Sequence, residues 1–109
     1  MITIDIHSNH ETVSDAISML DSAIKLGRKE KDKILCLIVG YGSKGTSHKI
    51  RSAVIEKLEE LKEKRNIKDY INGSDLDIFN LNYQKFIGKE RISEEEKKKR
   101  NPGAIYISL

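Results

Sequence analysis

The sequence predicts an α/β domain in which helices pack on a mixed sheet, and three observations predict it. Short β-branched apolar runs alternate with stretches of helical periodicity over the 109 residues. A glycine-rich stretch sits between an unbroken apolar run and a helical one, the strand–loop–helix succession of an open α/β sheet. Hydrophobic residues make up 38% and charged residues 34%, so one small core lies under a charged surface, with no room for a second domain.

Ile2-Thr3-Ile4-Asp5-Ile6 alternates apolar and polar residues, the period of a half-buried strand. Ser8 to Glu11 reads as a polar turn, and Thr12-Val13-Ser14-Asp15 as a capping box with Asp15 in the usual Glu position. Val13, Ile17, Leu20 and Ile24 form an amphipathic stripe, and Gly27 stands where a helix C-terminal glycine belongs, so a helix is expected over 13–26. Ile34 to Val39 is an unbroken apolar run, expected as a central strand buried on both faces. After Gly40 to Thr46, Ser47 can cap a second helix whose stripe is Ile50, Val54, Leu58 and Leu61, with Asn66 as its stop. Ile67 to Ile71 predicts a short strand ended by Asn72-Gly73, and Ala104 to Leu109 a last strand introduced by Asn101-Pro102-Gly103. Between them, residues 74 to about 100 form an insertion in which Ile78-Phe79, Tyr83 and Phe86-Ile87 could supply one short packing helix. Ser93 to Arg100 reads as a solvated helical end or a mobile stretch. The expected fold is a two-layer sandwich of order β-α-β-α-β-β, in a single domain over 1–109.

Composition excludes several classes. The balance of 20 basic and 17 acidic residues gives a net charge of only +3, too small for a histone-like tail or a polybasic anchor. One cysteine excludes an internal disulfide framework and a cysteine-rich zinc site. The opening MITIDIHS has no basic region ahead of a long apolar stretch, so neither a signal peptide nor a membrane span is expected. A cytoplasmic setting and no membrane partner follow as expectations.

Two loops carry the candidate chemistry, because both follow strand C-termini. Asp5 and His7, two apart on an extended strand, face the same way, so the carboxylate can orient the imidazole or both can address a water. Alternatively, Asp5 caps a loop and His7 merely hydrogen-bonds it. Gly40-Tyr41-Gly42-Ser43-Lys44-Gly45 fits G-x-G-x-x-G, but 109 residues cannot hold a dinucleotide domain plus a substrate site. A P-loop fails because Thr46-Ser47 follows Gly45 where a lysine is required. What remains is a row of backbone N–H groups ahead of a helix N-terminus, a seat for a phosphate. From Lys33 to Ile55 there is no Asp or Glu, while Lys33, Lys44, Lys49 and Arg51 are basic and His48 can add to them. Six of those positions are the expected buried strand, where acids are excluded anyway. A phosphodiester backbone is the natural ligand, with Tyr41 placed to stack on a base or simply to cover the sheet rim. A divalent ion such as Mg could assist at Asp5, but one carboxylate and one histidine make a poor cage, and no metal site is assigned.

In this order the residues resemble a known family. Ile4-Asp5-Ile6-His7 is similar to the Leu-Asp-x-His motif of the Smr (small MutS-related) domain, and Thr12-Val13 follows as the opening of the first helix. Val39-Gly40-Tyr41-Gly42 falls on its His/Thr-Gly-x-Gly motif, continued by Lys49-Ile50-Arg51 and Ala53-Val54. Asn101-Pro102-Gly103 and the strand to Leu109 resemble its closing Asn-x-Gly segment, so the resemblance spans roughly residues 3–71 and 101–109. It implies a fold similar to the C-terminal domain of translation initiation factor three. It also implies nucleic-acid binding (DNA or RNA) with nicking endonuclease activity. Asp5 and His7 would be the catalytic pair. Gly40, Tyr41, Gly42, Lys44, His48, Lys49 and Arg51 would contact nucleic acid. The alternatives are a non-catalytic nucleic-acid or ribosome-binding module, and a protein-interaction domain whose partner docks on residues 74–100.

Overall fold

The computed structural model describes residues 1–6, 12–40 and 45–109, with side chains from His48 onward in the last stretch. The elements follow as β1 (Ile2–Asp5), α1 (Val13–Gly27), β2 (Ile34–Ile38), α2 (Gly45–Glu63), β3 (Asp69–Asn72), α3 (Leu81–Lys85), α4 (Glu94–Lys99) and β4 (Ala104–Ser108). Two single turns of 3₁₀ helix, Gly73–Asp75 and Lys89–Arg91, punctuate the insertion. The result is an α/β domain built on a four-stranded mixed sheet in the order β1-β2-β4-β3.

β1 runs parallel to β2, and β4 runs antiparallel to both of its neighbours, β2 and β3. β1, β2 and β3 therefore all point the same way. Their C-terminal ends and the start of β4 share one edge of the sheet, with Asp5 opposite Ile38, Ile38 opposite Ala104 and Asn72 opposite Ile105.

The period of two along each strand divides the core. Ile6, Leu35, Leu37, Val39, Ile105 and Ile107 face one side and pack against α1 and α2. Ile34, Cys36, Ala104 and Tyr106 face the other and pack against Leu76, Tyr83, Phe86 and Ile92 of the insertion. The two-layer expectation is corrected here. β2 and β4 are apolar on both faces, and an uncovered second face would leave that surface in water, so residues 76–92 form a third, partial layer.

Within α1, Thr12 caps as expected, its Oγ1 accepting from the Asp15 N–H at 3.1 Å. The buried face is turned from the expected stripe: Val13 is exposed, whereas Ala16, Leu20, Ala23 and Ile24 are buried. Gly27 is the last helical residue, and a Cβ there would meet Leu109 Cδ1 at 2.6 Å, so it serves close packing. The second helix starts at Gly45, which leaves Ser47 inside it rather than at its cap, and it ends at Glu63 ahead of Asn66. Its stripe is as expected at Ile50, Val54 and Leu58, all fully buried.

The insertion holds the expected short helix as α3, and the stretch Ser93 to Arg100, expected as a solvated helical end or a mobile stretch, contains α4, none of whose residues is buried. Asn80 caps α3 through N–H groups of Asn82 and Tyr83, and Ser93 caps α4 through Glu96. Tyr83 and Phe86 pack inward, while Ile78, Phe79 and Ile87 stay exposed. Among the described residues, no helix is long and apolar enough to cross a membrane.

Candidate functional site at the sheet edge

The sheet directions bring most of the sequence-predicted residues to one edge. Asp5 ends β1 and is exposed; Gly40 lies two residues beyond β2; His48 and Lys49 are exposed in the opening turns of α2. His7, Tyr41, Gly42 and Lys44 lie outside the described residues, as does the expected turn over 8–11. Lys33 is separated from this group. It precedes β2, at the opposite edge of the sheet, and its Nζ donates to the Arg28 carbonyl. The local excess of positive charge therefore rests on the loop and the start of α2.

Around Gly40 the backbone is tied to the closing segment. The Gly103 carbonyl accepts from the N–H groups of Val39 at 2.8 Å and Gly40 at 3.1 Å. Asn101 forms the turn that makes this fit: its Oδ1 accepts from the Gly103 N–H at 2.8 Å and its carbonyl from Ala104 at 3.1 Å. Gly40 has φ +76, a conformation that side-chain-bearing residues rarely adopt, and a Cβ on Gly103 would lie 3.3 Å from its Cα. The glycine of the second motif and the glycine of the closing segment thus serve a single contact.

Arg51 completes this arrangement in a way the sequence reading missed. One guanidinium nitrogen donates to the Gly40 carbonyl at 3.0 Å, the other to Asn72 Oδ1 at 2.7 Å. Half-buried, its pKa is lowered by burial, yet a guanidinium remains charged there. Arg51 therefore clamps the end of β2 to the end of β3, and the positive charge it brings is held at the sheet edge. A cation close to a glycine loop reads in sequence as an anion ligand. The signal for the clamp was Asn72, 21 residues further on and visible only as half of a turn pair.

Beside this edge, on the outer side of β3, a cleft of about 430 Å³ is lined by Lys62, Asp69, Tyr70, Asn72 and residues of the insertion. Asp69 is buried there with its oxygens occupied: Lys62 Nζ at 3.1 Å, its neighbour Tyr70 N–H at 2.9 Å and Ile87 N–H at 3.0 Å. The Tyr70 hydroxyl donates to Glu59 at 2.5 Å, and burial, then that carboxylate, push its pKa up to about 12. The Ile87 contact fastens the insertion to β3, while Lys62 and Glu59 tie β3 to α2.

A hard divalent ion takes about six oxygen ligands. Among the described residues no three His, Cys, Asp or Glu side chains come together to supply them. Compared with protein-family models, with characterised proteins and with solved structures, the chain matches none.

Proposed function

We propose that the chain is a nucleic-acid-binding domain of the Smr type, with a fold similar to the C-terminal domain of translation initiation factor three. Its phosphodiester ligand, DNA or RNA, lies across the edge formed by Asp5, Gly40 and the start of α2. One observation supports this reading: β1 and β2 are adjacent and parallel, so the strands that lead into the two motif segments, far apart in sequence, end side by side with Asp5 opposite Ile38. No acidic residue occupies the first turn of α2, so its dipole and the exposed His48 and Lys49 all favour an anion there.

In the nicking form of this reading, His7 takes the proton of an attacking water while Asp5 holds the ring. The loop amides and Lys44 stabilise the charge that develops on the phosphate. A second, purely binding form is favoured by a specific observation. Val39 stands where the family has His or Thr, and its side chain is buried in the core beneath α1 and α2, without a polar group to offer the phosphate.

Conversion of supercoiled plasmid to open circle, run beside an RNA substrate, separates the two forms. Nicking that His7→Ala abolishes supports the catalytic form, and nicking that survives His7→Ala removes this mechanism. Salt-dependent binding with no cleavage supports the binding form. Lys44→Ala with Lys49→Ala should then lower the slope of log affinity against log salt by roughly 0.7–0.9 for each phosphate no longer neutralised. Absence of any salt-sensitive binding would overturn both forms.

A further inference from the structure

The sheet has two edge strands, and they are finished differently. On the outer side of β3 the insertion is docked, with the Ile87 N–H donating to the Asp69 carboxylate at 3.0 Å. Among the described residues, β1 pairs with no strand but β2. The Ile6 N–H donates to the Ile38 carbonyl at 3.0 Å. By the alternation of a parallel ladder, Ile4 and Ile2 also turn their peptide groups toward β2, and Thr3 turns its N–H and C=O outward. Such an edge is a template for another strand, and β1 carries none of the usual blocks: no lysine, no proline and no bulge in its register.

α1 lies over β1 and β2, and a groove of about 260 Å³ runs between it and the β1 edge. The groove is lined by Ile4, Ser18, Met19, Ser22, Ala23 and Leu26, without a charged side chain. Leu26 is 46% exposed there. Asp21, Lys25 and Arg28 instead line a hollow on the α2 side of the helix, with Leu61 and Asn66. Two opposite charges bracket the uncharged strip. Asp15 and Lys29 lie about two turns before and after Ser22, on its face of the helix, and the Lys29 N–H continues the spiral by donating to the Leu26 carbonyl at 3.1 Å. Both side chains are exposed, and neither is in an ion pair among the described residues. Near Lys29, Asp32 is taken up by the Met1 amino group, with Glu30 beside them.

This pattern is its own complement. We infer that the β1–α1 edge pairs with the same edge of a second copy, about a two-fold axis perpendicular to the sheet. The two β1 strands run antiparallel with Thr3 of one copy opposite Thr3 of the other, so the pair exchanges two backbone hydrogen bonds and the sheets become continuous. Ile2 then lies opposite Ile4 of the other copy, on the helix side. Ile4 lines the same groove as Ser22, so an axis through the middle of β1 also passes the middle of α1. The two α1 helices cross that axis antiparallel, Leu26 of each copy enters the groove of the other, and Asp15 of each meets Lys29 of the other. An unrelated strand satisfies the backbone edge alone, whereas a second copy also brings a cation to Asp15 and an anion to Lys29. One helix face and one short strand fall below the roughly 800 Å² per partner of a standard interface, so the dimer is reversible rather than permanent. The pairing is independent of the nucleic-acid reading.

Sedimentation equilibrium of the chain from low micromolar to millimolar concentration tests it, with circular dichroism to check that each variant folds. The expected result is reversible conversion of monomer to dimer. Asp15→Lys and Lys29→Asp each set like charges at both ends of the strip, and each should weaken dimerisation roughly 5- to 30-fold at low salt. Mixed together, the two variants restore both pairs and should form a heterodimer at about the parent's affinity. Thr3→Pro removes an outward N–H, leaves the ladder to β2 intact and should abolish the dimer. The two charge variants carry the test by themselves if the proline variant does not fold. A chain that stays monomeric throughout overturns the proposal. Dimerisation untouched by either charge variant places the contact elsewhere and overturns it too, as does a mixture that associates no more tightly than each variant alone.

Discussion

Arg51 illustrates how one side chain ties together the strand ends at the candidate site. Its two donors satisfy the Gly40 carbonyl and the Asn72 amide oxygen, acceptors on two different strand ends. Removing it leaves both acceptors without their charged donor at a half-buried position. Arg51→Ala should therefore lower the unfolding free energy by about 1–3 kcal/mol in a urea titration. Arg51→Lys should recover less than half of that, because a single ammonium cannot span two acceptors that a planar fork reaches together. If Arg51 acted only on a ligand, Arg51→Ala would bind nucleic acid poorly and melt at the parent temperature. Under the proposed reading Lys49 supplies the contrast: it is exposed on α2, so its loss should show in nucleic-acid binding with stability unchanged.

Element by element, the two faces of the sheet are secured differently. α1 and α2 are long and lie on a continuous apolar face, whereas α4 has six residues, none of them buried, and is held by polar contacts. Glu96 is central to these: its Oε1 accepts from the buried Tyr106 hydroxyl at 2.9 Å and its Oε2 pairs with Lys99 at 2.9 Å. The Lys99 hydrogen bond, and then that of Tyr106, hold its pKa below the usual glutamate range against the opposing effect of burial. A carboxyl depressed on folding stabilises the fold above its unfolded pKa, about 4.3, and that stabilisation is lost as pH falls through the folded value. Chemical denaturation from pH 7 to pH 3 should show Glu96→Gln less stable than the parent by about 0.5–1 kcal/mol at neutral pH, limited by the exposure of Lys99. The gap should close in acid; a gap independent of pH would assign the contact to shape alone. Periodic elements were the legible ones. Ile50, Val54 and Leu58 announce α2, and the alternation along β1 announces a half-buried strand. α1 was legible in extent but misjudged in orientation, since Ala16, Ala23 and Gly27 give close packing without adding to a hydrophobic stripe. The insertion was read only in outline, because Leu76, Tyr83, Phe86 and Ile92 enter the core singly, without a period. The candidate edge was legible through its loops, since strands joined by helices run parallel, while the Arg51 clamp joins residues that no local pattern connects.

At the scale of the whole molecule, the sheet divides the core into two clusters that meet only through the strands. The α1/α2 side has two helices of 15 and 19 residues against it, and the insertion side has helices of five and six. Short helices draw almost all their stability from tertiary packing, so the insertion should belong to the part of the molecule that opens at lowest free energy. Cys36 gives a direct reading of that opening. It lies in β2, fully buried on the insertion side, and burial raises its pKa, so in the closed state the thiol is both shielded and protonated. Labelling by a thiol reagent in moderate urea should proceed while the far-ultraviolet signal of α1 and α2 is still native. Phe86→Ala, which removes a buried ring from that cluster, should accelerate labelling about tenfold or more, given the roughly 3–5 kcal/mol that such a truncation costs. Leu58→Ala, on the opposite side of the sheet, should instead shift the global transition and raise labelling only in step with it. Labelling that tracks global unfolding in all three proteins would mean that the two layers open as one.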